Sequence, residues 1–206
     1  MLLSSWLNRA QRSLASHWSF WRGRAARARR PRLSHGSRTH TESYEQRLLL
    51  SGDGLTSAGL FLVPGGADEL VTLNFELSDR NAGYRSQLGL FIADSDSGAV
   101  GGVDPHSRNF AKTALRDSDQ AILFGRFDRP GETESISVPG GSRVGFYLIQ
   151  NSDSHRFLHA NPLNRLNRSP LTFFSVTDAN PDSFDHVRSK ELGAGVWQFG
   201  WEDLTF

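Results

Sequence analysis

Val71-Thr72-Leu73-Asn74-Phe75-Glu76-Leu77 alternates apolar and polar side chains without a break. Successive side chains of a strand point to opposite faces, so this pattern describes a strand with one face buried and the other in water. Further strand candidates follow. They are residues 88–92 (LGLFI), 121–127 (AILFGRF), 135–138, 144–150 (VGFYLIQ), 171–176 and 196–201 (VWQFGW). Gly65-Gly66, Gly101-Gly102, Pro130-Gly131 and Pro139-Gly140-Gly141 punctuate them, as turns between short strands require. One short helix is expected, around residues 109–116, and residues 151–161 do not read as helical. Seven or more short strands with turn-rich gaps predict an all-β domain, a β-sandwich of jelly-roll-like type, over residues 56–206.

Upstream of that domain the chain changes character. Residues 1–50 hold ten Arg against two acids, a net of +8, whereas the remainder holds thirteen basic and twenty acidic residues, a net of −7. Residues 1–55 are therefore expected to be a basic, largely disordered leader with a sorting role. Leu3, Leu7, Ala10, Leu14, Trp18 and Trp21 recur at helical spacing, which fits contact of residues 1–30 with a membrane surface. The acidic body argues against nucleic acid as its partner. No apolar run reaches the roughly 18 residues of a spanning helix. The chain has no cysteine, which excludes disulfides, thiolate metal sites and cysteine nucleophiles.

Asp178-x-Asn180-x-Asp182-x-x-Asp185 places oxygen-bearing side chains at positions one, three, five and eight of a loop. Ca²⁺ takes six to eight hard oxygens from a flexible chain, so these four, with Glu202 and Asp203 from a neighbouring strand end, form a candidate calcium site. Ser183 and Ser189 stand where an EF-hand needs Gly and Glu. The competing reading is a turn in which Asp and Asn bond local backbone amides. Asp94-x-Asp96-x-Gly98 with Asp104 is a second acidic loop of the same ambiguity, and Asn151-Ser152-Asp153 a weaker third. His155 and His159 lie four apart with no evident third ligand. His186 beside Asp185 reads either as a catalytic pair or as a structural histidine near a strand end, and no nucleophile motif accompanies it. Trp197 and Trp201 share a strand face, which suits core packing or a sugar-stacking platform.

Two resemblances add to this reading. Tyr44-Glu45-Gln46-Arg47-Leu48-Leu49-Leu50-Ser51 resembles the LEPR-XLL segment near the N-terminus of many exported bacterial proteins, with Tyr44 and Gln46 departing from its Leu and Pro. It implies export and an extracellular or cell-surface location. Gly145-Phe146-Tyr147-Leu148-Ile149-Gln150-Asn151, Phe173-Phe174-Ser175, Asn180-Pro181-Asp182-Ser183-Phe184-Asp185-His186-Val187 and Phe199-Gly200-Trp201-Glu202-Asp203-Leu204 resemble, in that order, the DUF4114 family of bacterial surface and secreted proteins. Residues 81–91 and 111–124 look similar too. The resemblance implies a domain of unknown function whose acidic residues have prompted the suggestion of enzymatic activity. In family members a Gly-rich acidic stretch and a closing strand usually follow Glu-Asp-Leu, so the domain is expected to be cut short.

The expected function is thus a non-catalytic accessory domain of an exported or cell-surface protein, stabilised by Ca²⁺ at its acidic loops. Its expected partners are a surface ligand or neighbouring domains. The alternatives are a metal-assisted hydrolase using the same carboxylates with His186, and a carbohydrate-binding module using Trp197 and Trp201.

Overall fold

The computed structural model describes residues 55–79, 84–117, 119–193 and 195–202. Residues 1–54, on which the expected leader and its LEPR-XLL-like segment fall, and Asp203 lie outside the described residues. The domain is all-β, with nine strands and two short helices among the described residues.

The strands are β1 (Phe61–Leu62), β2 (Leu70–Glu76), β3 (Gln87–Ala93), β4 (Ala121–Phe124), β5 (Thr133–Pro139), β6 (Arg143–Ile149), β7 (Thr172–Phe174), β8 (Val187–Gly193) and β9 (Val196–Trp201). The helices are α1 (Phe110–Ala114) and α2 (Ser154–Ala160). A five-stranded antiparallel sheet runs β1-β6-β3-β4, and β7 also pairs with β6. β2 pairs with β5 and β8 with β9, each pair a two-stranded antiparallel ribbon.

Strand β6 is the organising element because it is apolar on both faces; residues 144–149 are all buried. One face, with Tyr147 and Ile149, joins Phe91, Phe174, Phe110 and Phe157 in the main core, which α1 and α2 cover. Phe91, Phe110 and Phe174 meet edge to face, with centroids 5.3–5.9 Å apart, the arrangement their ring quadrupoles favour. The opposite face presents Phe146 to Phe75 of β2 and to Phe199 of β9, at 6.2 and 4.9 Å between centroids. Both ribbons therefore lie on that second face.

The register of β3 and β6 sets Gly89 opposite Tyr147 and Gly145 opposite Phe91. A Cβ on Gly89 would lie 2.3 Å from the Tyr147 ring, and one on Gly145 would lie 2.2 Å from the Phe91 ring. Each glycine leaves room for the aromatic ring of the other strand, so the two rings lie flat across the sheet.

Three expectations need correction. Residues 151–161 contain α2: Asp153 caps it by accepting the Arg156 amide at 2.9 Å, and Phe157 anchors it in the core. The expected strand through Phe127 stops at Phe124, because the Gly125 amide donates to Asp128 Oδ2 at 2.7 Å and turns the chain. Strand β8 has no alternation to betray it, since only Val187 of its seven residues is buried. No described helix is long and apolar enough to cross a membrane.

Candidate functional site

Of the candidate calcium residues, Asn180 sits on the outer edge of β7. On this strand the backbone groups of Leu171 and Ser175 bond to β6: Gln150 N donates to Leu171 O, and Ser175 N donates to Phe146 O, both at 2.9 Å. The groups of Thr172 and Phe174 consequently face the other way, towards an edge with no strand on it among the described residues. Two asparagine side chains occupy that edge. Asn164 Oδ1 accepts the Thr172 amide at 3.0 Å, and its Nδ2 donates to Thr172 O at 2.6 Å. Asn180 Oδ1 accepts the Phe174 amide at 2.7 Å, while its Nδ2 donates to Phe174 O at 3.0 Å and Phe184 O at 2.8 Å. A carboxamide carries one acceptor and one donor group in the spacing of a peptide unit, so each asparagine substitutes for one residue of a missing neighbour strand. Both are buried.

Next along the chain, Asp182 and His186 form a second enclosed group. His186 Nε2 lies 3.0 and 3.1 Å from the two Asp182 carboxyl oxygens, and its Nδ1 lies 2.9 Å from the Glu202 carbonyl oxygen. The imidazole stacks on Phe173, with centroids 4.0 Å apart and planes 24° from parallel. Its residue is 1% exposed. A carbonyl only accepts, so Nδ1 carries a hydrogen and donates it to the Glu202 carbonyl oxygen. The backbone repeats the connection: Glu202 N donates to His186 O at 2.9 Å. His186 thereby fixes the end of β9 to the loop that follows Asn180. Its carboxylate partner is Asp182, four residues back, not the adjacent Asp185.

The other predicted ligands do not gather with these. Asp185 Oδ1 accepts the Val187 amide at 2.9 Å, an Asx turn into β8. Asp178 lies on a 3₁₀ turn, Thr177–Ala179, exposed and 3.7 Å from His106 Nε2. Glu202 is exposed. Among the described residues no three His, Asp or Glu side chains come together as a metal-ion group.

The second acidic loop is likewise bound to its own surroundings. Asp94 Oδ2 accepts the Gly102 amide at 2.9 Å, and Asp104 Oδ1 accepts the His106 amide at 2.9 Å. Asp96 pairs with Arg143 Nε; that hydrogen bond, then the guanidinium charge, holds its carboxyl below the usual carboxylate range. His155 and His159 lie one turn apart on α2, both exposed. Trp201 packs against Leu148, Leu171 and Phe173, and the Trp197 Nε1 atom is enclosed without a hydrogen-bond partner.

The sequence reading missed Asn164 altogether, and for Asn180 it left a calcium ligand and a bond to local backbone side by side without pointing to β7. The positive φ of Asn164, 49°, belongs to a conformation asparagine tolerates better than most residues. Nothing in the residue order announces that its amide reaches β7.

No curated protein and no solved structure gives a significant match to the chain. Residues 138–206 match the family model described as "Domain of unknown function (DUF4114)". The matched stretch runs from the end of β5 through β9 and includes both asparagines and the Asp182–His186 pair, whereas residues 81–91 and 111–124 fall outside it. All four of the C-terminal motifs quoted from the sequence lie within the matched stretch, and over residues 138–206 the chain is similar to the DUF4114 family.

Proposed function

We propose that the domain is a non-catalytic accessory module of an exported or cell-surface protein, and that its buried polar side chains anchor loops. The enclosure of His186 supports this reading best. A general acid or base must come within hydrogen-bond reach of a substrate atom, whereas this ring is stacked on Phe173 with both nitrogens engaged. Asn164 and Asn180 are engaged in the same manner. The LEPR-XLL-like segment Tyr44–Ser51 and the DUF4114 match support the location.

Two experiments test the proposal. Surface proteolysis of intact cells producing the chain should release fragments of residues 56–206; protection until lysis would overturn the location. Thermal unfolding with calcium and with EDTA should give coincident curves, because Asn180 and Asp182 already have their oxygens engaged. A rise of several degrees with calcium, lost in Asp178→Asn, would favour the calcium-stabilised module instead.

A further inference from the structure

Residues 154–170 contain three Arg, two His and no acid, within a body of net charge −7. Their second half is a loop held from inside. Asn161 Oδ1 accepts the Arg165 amide at 2.9 Å, and Asn161 Nδ2 lies within 3.0–3.3 Å of the carbonyl oxygens of Arg165, Arg168 and Pro170. Asn164 ties the middle of the loop to β7. The outer side of this loop is one wall of an open concavity of about 400 Å³, lined by Arg108, Leu163, Asn164, Arg165, Leu166 and Pro181, together with Asn167. No carboxylate lines it. Among the described residues neither Arg108 nor Arg165 has a carboxylate at ion-pair distance. Leu166 is 51% exposed.

We infer that this concavity is a docking site for an acidic peptide segment, one that sets an aliphatic side chain between carboxylates. Arg108 and Arg165 come from separate loops and supply guanidiniums, the side chains best shaped for carboxylate recognition. Leu163, Leu166 and Pro181 offer the aliphatic side chain an apolar surface. The lining contains no aromatic ring, so the stacking on which single-stranded nucleic acid and many sugars rely has no platform. Because Asn161 and Asn164 already fix the loop, binding orders little extra chain.

The test uses the full chain and a fluorescein-labelled peptide, Glu-Leu-Glu-Glu-Leu-Glu, followed by anisotropy. The ten Arg of residues 1–50 add a background common to all variants, so the comparison is between variants. Arg108→Gln with Arg165→Gln should weaken binding about tenfold, the sum of two exposed charge pairs, and Arg108→Gln alone about threefold. Arg129→Gln, on the exposed β4–β5 turn, should change nothing. Leu166→Ser should weaken binding of this peptide but not of one with Gly in place of Leu. Hydrogen exchange should slow at residues 161–168 when peptide is added. The proposal is overturned if the Gln-for-Glu peptide binds equally, if Arg129→Gln weakens binding as much as the double variant, or if exchange at residues 161–168 does not change. An oligoglucuronate that binds as tightly, with the same dependence on Arg108 and Arg165, would make the site a general polyanion surface and overturn the peptide assignment.

Discussion

Asn180 shows how one side-chain chemistry serves two readings. Its carbonyl oxygen is a calcium ligand by type, yet here it accepts the Phe174 amide at 2.7 Å, at a strand edge that no described strand covers. Replacing it with Ala should leave that buried amide without a partner, at a cost of about 1–3 kcal/mol. Urea unfolding of Asn180→Ala and Asn164→Ala should show similar losses, each larger than for Asn167→Ala. Asp96 provides a second check. Because Arg143 lowers its carboxyl value, its contribution is present above the ordinary carboxylate range and disappears as pH falls through the lowered value. The pair is exposed and screened, so the effect on stability is small. Carbon-detected NMR titration should find Asp96 titrating below the other surface aspartates, and Arg143→Gln should return it to them.

Strands β3 and β6 each carry one glycine and a nearby aromatic, and antiparallel register turns these into two reciprocal glycine–aromatic pairs. A Cβ at Gly89 or Gly145 has to displace a ring in the packed core. Gly89→Ala and Gly145→Ala should therefore each cost about 1–3 kcal/mol or more. In a double-mutant cycle, Phe91→Leu should recover part of the Gly145→Ala loss and none of the Gly89→Ala loss. Alternation made β2 readable because one of its faces is committed to the core, and β3 and β6 were readable as short apolar runs bounded by turn residues. Strand β8 lacks such a face, and its structure comes from six residue pairs across to β9. Helix α2 was hidden for a related reason: at seven residues it is too short for periodicity to show, and its stability comes from the Asp153 cap and the burial of Phe157.

Across the whole molecule, the central sheet separates a helix-covered core from the face that carries the two ribbons, and Tyr147 lies inside the first. Burial pushes its hydroxyl well above the ordinary tyrosine value, while the hydroxyl donates to Gln120 Oε1 at 2.8 Å. A folded value above the unfolded one means that the stabilisation is complete below the unfolded value, about 10, and fades as pH rises beyond it. Thermal unfolding between pH 9 and 12 should show that decline, and Tyr147→Phe should flatten it while lowering stability at neutral pH through the lost hydrogen bond. Composition, charge segregation and the period of two determined by themselves that an acidic all-β body follows a basic stretch of sequence, because strand faces and net charge are properties of residue order. The roles of Asn164, Asn180, Asp182 and His186 were decided only by tertiary structure. Each depends on which backbone groups β6 leaves unpaired along β7 and on where β9 ends, and those are contacts between segments that the order of residues does not contain.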